Sequence, residues 1–84
     1  MNHNIKIKQC FLIHIIEGRK TFEIRKNDRD YQVGDTITFL AIEDESYNVY
    51  DVVGSVPMYE ITYIHSGLGM QEGYIVMSIR PIRD

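Results

Sequence analysis

Residues 18–30 read Gly18-Arg19-Lys20-Thr21-Phe22-Glu23-Ile24-Arg25-Lys26-Asn27-Asp28-Arg29-Asp30. Between Lys20 and Arg25 the chain alternates at period two, the period of a β-strand. Thr21, Glu23 and Arg25 take one face, Phe22 and Ile24 the other. The strand runs into Asn27-Asp28, residues whose short polar side chains close turns on their own backbone. Five of the nine Lys/Arg residues of the chain (Arg19, Lys20, Arg25, Lys26, Arg29) fall within this stretch, with Glu23, Asp28 and Asp30 among them. Polar groups fixed on a strand are a means by which a small domain holds a binding constellation in place.

Outward from this strand, short elements follow one another. Asn4 to Lys8 alternates Ile5 and Ile7 with Lys6 and Lys8, a strand with one buried face. Gln9 to Glu17 is apolar at six of its positions, and pairs Phe11/Ile15 and Leu12/Ile16 at helical spacing. Gly18 stands where a left-handed helix cap is wanted. This predicts a helix too apolar for the surface. Beyond Val33-Gly34-Asp35, a turn, Thr36 to Ile42 is a β-branched and aromatic strand. Glu43 to Asn48 is an acidic loop, Tyr50 to Val56 begins another strand, and Pro57 marks an edge or break. Met58 to His65 alternates with Tyr59, Ile61, Tyr63 and His65 on one face. Ser66 to Gly73 is a glycine-bearing loop, and Tyr74 to Ile79 is the last strand. Five or six short strands with one helix fit a small β-barrel or an open sheet packed on a helix.

Eighty-four residues make one domain, 1–84. The single cysteine, Cys10, excludes an internal disulfide and suits a reducing compartment. Met1 to Lys8 is polar, unlike a secretory leader. The apolar run from Cys10 to Ile16 is too short to span a bilayer. A cytoplasmic protein is expected, with no membrane partner. The net charge of −3 is divided unevenly. Residues 1–29 carry seven Lys/Arg against three Asp/Glu, and residues 30–84 carry two against nine. That balance excludes a generally basic nucleic-acid binder, but permits one local basic patch on an acidic body. His3, His14 and His65 share no metal-ligand spacing and one cysteine builds no zinc site, so neither metal nor cofactor is expected.

Gly18-x-Lys20-x-x-Glu23-x-Arg25 matches the G-x-K-x-x-E-x-R signature of the ASCH family. The chain resembles a branch of small free-standing ASCH-like proteins of phages and bacteria. The resemblance runs from His3 and Lys6-Ile7 through Lys20 to Asp30 and Val33-Gly34-Asp35, and ends at Glu72-Gly73-Tyr74. It implies a PUA-like fold, a small β-barrel of five to six strands with one principal helix at the barrel mouth. It also implies an association with RNA.

The candidate site follows from both lines. Glu23 and Arg25 are about 6–7 Å apart along one strand face, so they share a ligand or bridge each other. Arg25 forks onto a phosphate or base edge while Glu23 accepts from an exocyclic amine. Lys20 is a phosphate contact, or a base if burial neutralises it. Asn27 is placed to read a base edge and Arg29 to hold a phosphate or stack; the plainer reading of both is a self-bonded turn. Tyr74 is the best stacking candidate among six tyrosines. The expected partner is RNA, single-stranded, or a nucleotide-like ligand.

A related ASCH-like group comprises amidohydrolases of N4-acetylated cytidine that use a lysine, a threonine and a glutamate. The resemblance places the lysine on Lys20 and the threonine on Glu23; Thr21 lies two residues early, and Glu60 and Glu72 are the late carboxylates at hand. A carboxylate is no substitute for a hydroxyl nucleophile. Lys20 and Glu23 are therefore weak catalytic candidates, and binding without catalysis is the favoured expectation. An accessory protein that binds another protein through its acidic 43–60 region is the third expectation.

Overall fold

A computed structural model describes residues 1–42 and 54–83 of the chain. It is mainly β: strands β1 (Asn2–Lys8), β2 (Phe22–Lys26), β3 (Thr36–Ile42), β4 (Tyr59–His65) and β5 (Tyr74–Pro81), and one helix, α1 (Gln9–Ile16). The five strands form one sheet in the order β1-β3-β4-β5-β2, with β1 parallel to β3 and the other pairs antiparallel. The first two strands in sequence thus end at opposite edges. The sheet curls into a half-barrel that brings those edges together, since side chains of β2 and the turn after it reach the backbone of β1.

The alternating strands line the core as their pattern requires. Ile5 and Ile7 of β1, Ile37 and Phe39 of β3, Tyr59 and Ile61 of β4, and Ile75, Met77 and Ile79 of β5 are all buried in one cluster. Leu12 and Ile15 of α1 and Tyr31 complete it, with the helix against β1 and β3. The helix ends as Gly18 predicts. With φ at +82°, Gly18 donates its N–H to Ile15 O, and Arg19 N donates to His14 O. This is a Schellman cap, which satisfies carbonyls left open at the helix end.

Three expectations are corrected. The alternation over Met58 to His65 does not hold to the end of β4. Ile61 pairs with Ile79, and Tyr63 with Ser78, so a bulge at Thr62 shifts the register. The extra residue reverses which side chains face inward. Tyr63 is exposed and Ile64 packs on the core in its place. Second, the helix buries fewer apolar residues than its composition implies: Cys10 and Phe11 are exposed, and the polar Gln9 is buried. Gly54 to Met58 is not strand. The acidic loop Glu43 to Asn48, Tyr47, and the strand start at Tyr50 lie outside the described residues.

Candidate functional site

The period-two reading of β2 is correct, but its polar face is the inward one. Glu23 is 4% exposed, whereas Phe22 and Ile24 are 40% and 51% exposed. Burying a carboxylate costs several kcal/mol unless it is paired and hydrogen-bonded. Glu23 has a partner on each oxygen. Lys20 Nζ donates to Oε1 at 2.7 Å, and Arg25 Nε to Oε2 at 2.8 Å. The two cations keep a share of solvent, with side chains 20% and 29% exposed. Lys20 Nζ also stands 5.4 Å and 5.1 Å from the ring centroids of Phe11 and Phe22. A carboxylate and two aromatic faces are all partners of a cation. Here the outward Phe22 and the exposed Phe11 have a use, walling the lysine from both sides.

This triad forms the floor of a cleft of about 500 Å³. Lys6, Ile7 and Lys8 of β1 line one side, and Ile24 and Lys26 of β2 the other. Phe11, Ile42 and Tyr74 also line it. Five of the nine basic residues therefore surround one carboxylate. The basic N-terminal third of the sequence is concentrated at a single place. The volume lies within the range of small-ligand pockets, and apolar walls with few convergent polar groups are their usual make-up.

Of the residues singled out from sequence, Lys20, Glu23, Arg25 and Tyr74 meet in this cleft. Asn27 and Arg29 do not line it. Asn27 Oδ1 accepts from Tyr31 N at 3.3 Å, the self-bonded turn, and Arg29 Nη1 donates to Asn4 O at 2.7 Å. The lining residues that the sequence did not point to are Lys6, Ile7, Lys8, Phe11, Ile24, Lys26 and Ile42. Lys6 and Lys8 are ordinary solvent-facing positions of a strand, and only the approach of β1 to β2 makes them part of a site.

The two late carboxylates lie elsewhere. Glu60 accepts from Arg80 Nε at 2.7 Å beside a second cleft, which Arg83 also lines, and Glu72 is exposed. Neither lines the cleft of Lys20. Thr21 is exposed, and its carbonyl accepts from Ile79 N at 3.0 Å.

A second polar cluster joins β1 to the turn before β3. His3, 4% exposed, donates from Nε2 to Asp35 Oδ2 at 2.8 Å, and Asp35 also accepts from the N-terminal amine and Gln32 N. These bonds, the His3 one foremost, hold the Asp35 carboxyl at about 2, below its ordinary 3.8. The His3 ring packs on Tyr31, centroids 4.6 Å apart. Burial pushes the Tyr31 phenol above its usual value, against the pull of Arg29 and Arg25 nearby.

A family model described as a domain of unknown function, DUF3850, matches residues 2–79. The chain belongs to the DUF3850 family. That match takes in β1 to β4, the helix, β5 as far as Ile79 and every residue that lines the cleft. No curated protein matches this DUF3850 chain. Among the described residues no helix is long and apolar enough to cross a membrane.

Proposed function

We propose that this DUF3850 domain is a non-enzymatic binding module whose cleft takes RNA, single-stranded, or a nucleotide-like ligand. The observation that supports this best is the buried Glu23 bonded to Lys20 and Arg25 in a cleft that three further lysines line. A fixed fork and a fixed ammonium suit phosphate oxygens. Arg25 has donors left after Glu23 and Lys6 O, and Glu23 oxygens have lone pairs left for an exocyclic amine. Tyr74 offers a ring in the lining of the cleft on which a base stacks. The resemblance to ASCH proteins, in which Lys20, Glu23 and Arg25 are signature positions, supports the same reading. A cytoplasmic setting, where the exposed Cys10 stays reduced, belongs with it.

Two observations weigh against the amidohydrolase. The position of its nucleophile carries Glu23, both of whose oxygens already accept from cations. Among the described residues, no second carboxylate lines the cleft. For the accessory-protein reading, most of the 43–60 surface lies outside the described residues.

The test is an NMR titration of isotope-labelled protein with a short single-stranded RNA. Shifts should cluster at residues 6–8, 20–26 and Tyr74. Shifts confined to other surfaces, or none at millimolar RNA, would reject this site.

A further inference from the structure

The two edge strands of the half-barrel, β1 and β2, are not neighbours in the sheet. Yet the cleft lies between them, so something other than a backbone ladder must set their separation. Met1 O accepts from Thr36 N, which turns the odd-numbered residues of β1 toward β3. The carbonyls of Asn4 and Lys6 therefore face the open edge. Each accepts from an arginine: Arg25 Nη2 donates to Lys6 O, and Arg29 Nη1 to Asn4 O at 2.7 Å. The two acceptors are two residues apart on one edge, and both donors come from the β2 side.

The turn that carries Arg29 is itself tied down. Asn27 N donates to Gly73 O at 2.8 Å, and Asn27 Oδ1 accepts from Tyr31 N. Asp30 is left-handed at φ +49°, a conformation that Asp tolerates better than most residues. The Asn27–Asp30 segment is thus a rigid bracket, and Arg29 is its reach across the seam.

We propose that Arg25 and Arg29 staple the two edges of the half-barrel, and that Arg29 is a positioning residue which sets the width of the cleft without touching what binds there. The inference deepens the proposed function and, for its ligand readout, rests on it. Arg25 has two duties, one on the cleft floor and one at the seam. Arg29 has only the second, so its removal separates cleft geometry from ligand contact.

The experiment compares wild type, Arg29→Ala, Arg29→Lys and Lys26→Ala in two arms. The first needs no ligand: hydrogen exchange of the peptide covering residues 2–8. Exchange there should rise in Arg29→Ala and fall back toward wild type in Arg29→Lys, whose ammonium still donates. Unchanged protection in Arg29→Ala overturns the staple. The second arm measures affinity for a labelled eight-nucleotide oligouridylate across salt concentrations. Arg29→Ala should weaken binding about threefold to tenfold at every salt concentration with an unchanged slope. Lys26→Ala should lower the slope of log affinity against log salt by about 0.7, the mark of one lost phosphate contact. A slope lowered equally by Arg29→Ala would make Arg29 a phosphate ligand and overturn the positioning role. If wild type fails to bind, the proposed function falls while the exchange arm still decides the staple.

Discussion

Arg25 Nε lies 2.8 Å from Glu23 Oε2, and the carboxylate it serves is buried on the inward face of β2. On an exposed strand such a pair would contribute well under about 1 kcal/mol. Here it balances a charge that would otherwise be stranded beside a core. Glu23→Ala should therefore leave Lys20 and Arg25 facing each other and destabilise the fold by about 1–3 kcal/mol. Ile24→Thr, on the outward face, should change stability by no more than about 0.5 kcal/mol. Urea titrations of the two variants check the contrast. Equal effects, or a larger one at Ile24, would show that the inward face has been misassigned.

The pH dependence follows from Asp35. Its folded carboxyl titrates at about 2, below the ordinary 3.8, because His3, the N-terminal amine and Gln32 N all bond the ionised form. A lowered folded value means that the native state releases the proton more readily than the unfolded chain. The stabilisation is complete above about pH 4 and is lost as pH falls toward about 2. The urea midpoint of wild type should fall through that window, and Asp35→Asn should flatten the fall. A variant with the wild-type acid limb would assign the effect to other carboxylates.

Tyr74 lines the cleft and is half-buried. If a base stacks on it, Tyr74→Ala should weaken single-stranded RNA binding by about 1–3 kcal/mol, and Tyr74→Phe should retain most of the affinity. Isothermal titration separates the cases. A Phe variant as weak as Ala would point to the phenol hydroxyl rather than the ring.

Gly18 precedes the site by two residues and closes the helix in the left-handed region. An alanine there meets no crowding atom but must adopt the same φ of +82°. Gly18→Ala should cost about 1 kcal/mol, read as a lower thermal midpoint. Lys20 N shares His14 O with Arg19 N, so the cap also fixes where Lys20 begins. A midpoint unchanged or raised would mean that the Schellman cap does not hold this junction.

Much of the architecture could be read from local pattern. The strand Thr36–Ile42 has the bounds its β-branched run predicts, and Gly18 ends the helix as its spacing predicts. Those features depend on neighbours in sequence. What escaped depends on contacts across the fold. The inward turn of Glu23 needs two cations to make burial tolerable, and alternation alone cannot say which face of β2 meets the core. The bulge at Thr62 inserts a residue that leaves no mark in the composition. Lys6 and Lys8 become site residues only because the curled sheet brings β1 to β2, an approach carried by Arg25 and Arg29 on carbonyls, which have no sequence signature.

The most direct test of the account is fluorescence anisotropy of labelled single-stranded RNA and DNA with wild type and with Lys20→Ala/Arg25→Ala, at two salt concentrations. Binding should be salt-sensitive, favour RNA and be lost in a double variant which circular dichroism shows to be folded. Absence of binding by wild type at low salt, or equal affinity in the folded double variant, would contradict it.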